Sequence, residues 1–239
     1  MKLRKFLTII ACFVFVLVGA FGFAGCAHTS NVDAQEALTY VQEVNFAETI
    51  GNGYKFKASI MGEDAEAIIL LGEHPQAYMK SSEEGTIYYK DDYVYLSDGT
   101  RKVKIEFPLE AALEDVPLAY RDYVESVKEA LSGENDMFDL EEWMGYIEEM
   151  LDNETLKTTK TIDGKKVTYS FKGEINAYLS MSYKIGFTFT DGQFTSISAK
   201  YGTKLNKKYT EVMSIQIAPY AGTIKFPSFT GYEQIDIAH

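Results

Sequence analysis

Few residues in this sequence stand in a setting that supports chemistry. A thiol is a strong nucleophile, and the chain has two cysteines, Cys12 and Cys26; the second directly follows the small residues Ala24 and Gly25. Histidine is the usual base beside a serine or cysteine nucleophile. The three histidines are scattered: His28 follows Cys26 closely, His74 precedes Pro75 in a turn-forming stretch, and His239 ends the chain. A turn histidine is ordinarily solvated rather than catalytic. There is no G-x-S-x-G elbow, no H-E-x-x-H and no C-x-x-C, and too few His and Cys residues for a zinc site. Carboxylates are abundant. Glu134-Asn135-Asp136 followed by Asp139 suggests calcium at first sight, but lacks the alternating ligands and central glycine of a calcium loop. Asp139 with Glu142 three residues later resembles a helix cap, with Asp replacing the usual Ser or Thr. Two distant acids can meet to cleave a glycoside, yet nothing selects a pair. The expectation is a protein that is not an enzyme and uses no metal and no cofactor.

Cys26 has a different explanation. Residues 1–5 carry Lys2, Arg4 and Lys5 and no acid, and residues 6–24 carry no charge. A cationic head before an apolar stretch is how an export signal reads. About 20 apolar residues also suffice to span a bilayer, so the end of the stretch decides. Phe23-Ala24-Gly25-Cys26 resembles the lipobox of bacterial lipoproteins, with Phe23 where Leu is usual. That resemblance implies cleavage before a cysteine already bearing diacylglycerol. Residues 1–25 are then a signal peptide, Cys26 is the lipidation site, and the mature protein is secreted and anchored to the outer face of the cell membrane. Cys12 is removed with the signal, so no intramolecular disulfide can form. Two acyl chains, at about 0.8 kcal/mol per buried CH₂, make stable anchoring. Residues 26–34 (CAHTSNVDA) are small and polar, as suits a tether.

The chain is acidic, with a net charge of −12, and loss of Lys2, Arg4 and Lys5 takes the mature form to −15. Nucleic acid is therefore not an expected partner. Charge is uneven: residues 110–154 hold fifteen acids against Arg121 and Lys128, whereas residues 155–239 hold eleven lysines against six acids. The lysines either solvate strand faces or meet anionic headgroups.

A composition of 46% hydrophobic and 14% aromatic residues gives a core to a single α+β domain over residues 35–239. Ala37, Leu38, Val41 and Val44 recur at helical spacing, while residues 44–50 read equally as helix or strand. From Tyr54 the period is two, with a meander over residues 54–107 broken at Gly62, His74-Pro75, Glu84-Gly85, Asp91-Asp92 and Asp98-Gly99. Residues 108–153 form a helical insert. One apolar stripe holds Tyr120, Tyr123, Val124, Val127, Ala130 and Leu131; a second holds Leu140, Trp143, Met144, Ile147, Met150 and Leu151. Period two returns over residues 155–226, with hairpins at Asp163-Gly164 and Asp191-Gly192 and a further short strand expected within 222–232.

Strands, then helices, then strands make about eleven strands in one large antiparallel sheet, curved into a half-barrel with helices on its concave face. With the lipidated start and the closing Ile224-Lys225-Phe226-Pro227, this layout resembles the periplasmic lipoprotein carriers and the mycobacterial lipid-transport lipoproteins. The resemblance implies an apolar ligand, such as a lipid, held between sheet and helices. Tyr123, Val127, Trp143, Met144 and Ile147 are the expected lining, since Met and flat aromatic rings adapt to acyl chains. Core packing alone is the simpler explanation of Trp143. The alternative function is a cell-envelope interaction module that acts through its acidic helical face.

Replacing Cys26 by Ser is expected to abolish lipid labelling and block normal signal cleavage. Labelling that survives the substitution would falsify the anchor assignment.

Overall fold

The computed structural model describes residues 27–43, 51–82, 85–132, 145, 147–151, 155–174, 181–203 and 209–237. They build an α+β half-barrel: one open sheet of thirteen strands, antiparallel except at one edge, with helices on its concave face. A first meander contains β2 (Gly53–Ile60), β3 (Glu63–Leu70), β4 (Gln76–Ser81), β5 (Gly85–Lys90), β6 (Tyr93–Ser97) and β7 (Lys102–Glu106). The second contains β8 (Lys157–Asp163), β9 (Lys166–Glu174), β10 (Met181–Thr190), β11 (Gln193–Thr203) and β12 (Thr210–Pro219). The last strand of the second meander pairs with the first strand of the first, from Pro219 opposite Tyr54 to Met213 opposite Ile60. With β1 (His28–Asn31) and β13 (Glu233–Ile235) at its edges, the sheet order is consequently β1-β8-β9-β10-β11-β12-β2-β3-β4-β5-β6-β7-β13.

The hairpins follow from turn chemistry. Asp191 and Gly192 both take positive φ, at 53° and 81°, which matches the right-handed twist of the flanking strands and which Asp and Gly tolerate best. Met61 adopts φ 52° beside Gly62 without such a side chain. Alternation puts Tyr54, Phe56, Ile69, Met79, Tyr89, Val94, Ile105, Phe171, Phe187 and Ile215 on one buried face.

Two strands depart from the sequence-based expectation. β1 (His28–Asn31) lies inside the polar stretch expected to be a tether, and pairs with β8 from His28–Ile162 to Asn31–Thr159. Its HTSN sequence has no apolar alternation, so only the free edge of β8 reveals it. The strand expected within 222–232 is instead an extended path over the outer face, and β13 (Glu233–Ile235) runs parallel to β7. β12 is already flanked by β11 and β2, so the departing chain must cross to reach the free edge of β7. Both terminal strands are short, which limits the exposed edges.

Helix α1 (Ala34–Gln42) starts at Asp33, whose carboxylate accepts from the Glu36 amide at 3.0 Å, and buries Ala37, Leu38 and Val41. Helix α2 (Leu118–Ser132) buries Val124, Val127, Ala130 and Leu131 against β3 and β4. A further helical turn at 147–151 buries Ile147 and Met150 but leaves Leu151, expected on the same stripe, 37% exposed.

Met150 packs so closely on β9 that a Cβ on Gly173 would sit 2.8 Å from its Cγ and Sδ and 2.9 Å from its Cβ. Gly173→Ala is expected to lower stability by about 1–3 kcal/mol through overpacking. Met150→Ala should absorb part of that loss, so denaturation of the two single variants and the double variant should show non-additivity. Strict additivity would mean that the two residues do not touch.

Candidate functional site

The helix-covered inner face is the site to which the sequence points. Val127 and Ile147 are both fully buried in one continuous core, and Tyr123 is half-buried against it. Trp143 and Met144 lie outside the described residues, as do Cys26, residues 44–50 and the capping pair Asp139 and Glu142. Among the expected lining residues, the described structure thus brings three to the inner face and leaves two undescribed.

Tyr123 borders a recess of about 70 Å³ between the start of α2 and the inner face of β5–β7, where Ile87, Leu96 and Val103 form the floor. Ligand sites usually run from about 300 Å³ upwards, so this recess admits an acyl chain only if α2 moves outward. Besides its buried apolar stripe, three polar side chains hold α2 in place. Arg121 donates through Nη2 to the carbonyls of Glu114 at 2.9 Å and Val116 at 3.2 Å. Lys128 donates through Nζ to the Ala111 carbonyl at 3.0 Å and lies 5.8 Å from the Phe107 ring centroid. Tyr54, buried on β2, donates its hydroxyl to the Ala130 carbonyl at 3.1 Å. The two basic residues of the acidic insert therefore bind backbone carbonyls, while Glu125 and Glu129 face solvent.

The outer face carries two features that the sequence reading did not anticipate. One is a depression of about 500 Å³ across β12, β2, β3 and β4, lined by Lys57, Ser59, Glu66, Lys80, Ser214 and Gln216 among others. Tyr78 donates to Glu66 at 2.7 Å, and burial together with that carboxylate pushes its phenol well above the usual range. Serine, lysine and carboxylate side chains make up most of the lining, so the depression offers hydrogen bonds and charges of both signs. The other is an aromatic cluster in which Phe229 stacks on Tyr95 with ring centroids 3.7 Å apart and 12° between planes. Phe226, Tyr88 and Tyr232 surround that pair. Tyr88 beside Tyr89 was the available signal, because adjacent rings on a strand must face opposite sides.

No protein-family model and no curated protein matches the chain, so its own residues carry the functional argument. Among the described residues no cluster of three or more His, Cys, Asp or Glu is placed to hold a metal ion, and no helix is long and apolar enough to cross a membrane.

Burial drives the Tyr54 phenol far above its usual 10.0. A raised pKa means that the folded state keeps the proton, so this contribution to stability is complete below about pH 10 and is lost as the pH rises beyond it. The denaturant midpoint is expected to fall above pH 10, and Tyr54→Phe should flatten that fall while losing about 1 kcal/mol with the bond to Ala130. An unchanged alkaline slope in the variant would remove Tyr54 as its source.

Proposed function

We propose that this chain is a lipid-anchored, extracytoplasmic binding protein without catalytic activity, which takes an apolar ligand between its helical layer and the inner face of the half-barrel. The observation that carries this reading is the architecture. A wide, open, curved sheet presents a continuous apolar face, and the helices over it form a separate layer held partly by a few polar contacts. The recess beside Tyr123 is where such a layer would begin to open. Displacing α2 would enlarge that recess towards Val127 and expose aliphatic side chains suited to a lipid.

A second reading has its own support. Val124, Val127 and Ala130 are completely buried, so the core beneath α2 is filled, while Glu125 and Glu129 are exposed above it. That arrangement favours a closed interaction module whose acidic helix meets a basic surface on an envelope protein.

Trp143 is the single tryptophan of the chain, so its emission reports on the helical insert without interference. Titration of the purified domain with a fatty acid and with a phospholipid is expected to shift that emission saturably, and Tyr123→Ala should weaken the apparent affinity. If neither lipid alters the emission, and native mass spectrometry finds no co-purified lipid, the carrier reading fails and the interaction module stands.

A further inference from the structure

We infer that β1 orients the domain on the membrane, seating the end of the sheet formed by the β8–β9 and β10–β11 turns against the lipid headgroups. The inference rests on the reading of Cys26 as the lipidated residue. β1 starts at His28, and only Ala27 separates it from Cys26. At 3.3–3.6 Å of reach per residue, the chain that would join a lipidated Cys26 to the start of β1 spans at most about 7 Å.

That start is fixed in the sheet. His28 pairs with Ile162, the Thr29 and Thr161 hydroxyls are 3.0 Å apart, and the Val32 amide donates to the Thr158 carbonyl at 3.2 Å. A lipid on Cys26 therefore meets the domain at one corner. The strand ends at that corner are Asp163 and Lys166 of the first hairpin and Thr190 and Gln193 of the second. A free tether would let the domain tumble about its anchor, whereas a paired strand lets it turn only as a body.

The chemistry of the corner suits a lipid surface. Ile162 is 40% exposed and Tyr40 is 41% exposed, two of the few large apolar side chains so placed among the described residues. Tyr40 reaches this end from α1, with its ring 5.1 Å from Tyr169 and 5.0 Å from Phe189. Tyrosine is favoured at membrane interfaces, where one end of the ring is apolar and the other wet. Charge at the corner is balanced: Lys165 holds Asp191 at 2.8 Å, and Lys166 pairs in register with Asp163. A mature chain of net charge −15 is repelled by an anionic surface in most orientations. This corner avoids that repulsion, because the acidic helix α2 packs on β3 and β4 in the other half of the sheet.

The test uses the full lipidated protein in phosphatidylglycerol vesicles containing a headgroup-labelled quencher lipid. The mature chain has a single cysteine, which the lipid occupies, so an engineered cysteine takes a fluorophore alone. Asp163→Cys probes the proposed contact, and Lys157→Cys probes the other end of the same strand, about 20 Å away at 3.3–3.4 Å per residue. Several-fold stronger quenching at 163 than at 157 is the expected result. Equal or reversed quenching in protein that floats with the vesicles overturns the orientation while leaving the anchor intact. Protein that fails to float overturns the anchor and the orientation with it. A ten-residue Gly/Ser insert between Ala27 and His28 is expected to bring the two signals together; a difference that survives the insert removes β1 as its cause.

Discussion

The pairing of β12 with β2 is the constraint from which the rest of the architecture follows. Each meander is a local structure, built by hairpins that close over two to six residues. The ladder from Pro219–Tyr54 to Met213–Ile60 joins them across more than 150 residues of chain. Once it forms, β7 and β8 lie towards opposite ends of the sheet order, although only the helical insert separates them in sequence. The insert must cross the sheet, and its apolar stripes leave the inner face as the route on which they are buried. Both chain ends are then left to cover the remaining edges, β1 on β8 and β13 on β7.

This arrangement gives the sheet two covered faces of different character. The inner face is a conventional core in which Tyr54 stacks on Phe56 at 5.8 Å and Phe171 meets Phe187 edge-on at 5.9 Å. The outer face is partly covered by the C-terminal segment, where Phe226, Phe229 and Tyr232 lie against Tyr88 and Tyr95. Lys55, Lys90 and Lys102 sit over Tyr220, Phe226 and Tyr232 at 4.1, 5.5 and 5.9 Å from the ring centroids. Such contacts contribute about 0.5–1 kcal/mol each at exposed sites. Some of the lysines in the sheet thus pack on aromatic rings, which accounts for them without an external anionic partner. In the acidic insert, Arg121 and Lys128 bind the carbonyl oxygens of Glu114, Val116 and Ala111 in the segment before α2. Glu125 and Glu129 of α2 remain exposed.

Much of this was legible in the residues because it depends on short-range rules. Period-two alternation placed β2 to β12, the Asp-Gly steps placed hairpins, and the spacing of Val124, Val127 and Leu131 placed the buried stripe of α2. Asp163 itself stayed in β8, so the loop became Gly164-Lys165, a one-residue shift that periodicity does not resolve. The site was less legible. Val127 and Ile147 read correctly as inward-facing, but inward-facing is as true of a core as of a ligand wall. Spacing reports which way a side chain points, whereas cavity volume depends on how far two elements stand apart.

The sequence by itself determined β2 to β12, the buried stripe of α2, and the sign and segregation of charge. Each is a property of neighbouring residues. Only the tertiary structure decided that the two meanders form one sheet, that HTSN is a strand, and that the aromatic residues near the C-terminus cover the outer face. Those outcomes depend on which edges remain free after the other strands have paired. A free edge is a property of the whole sheet, and no window of residues contains it.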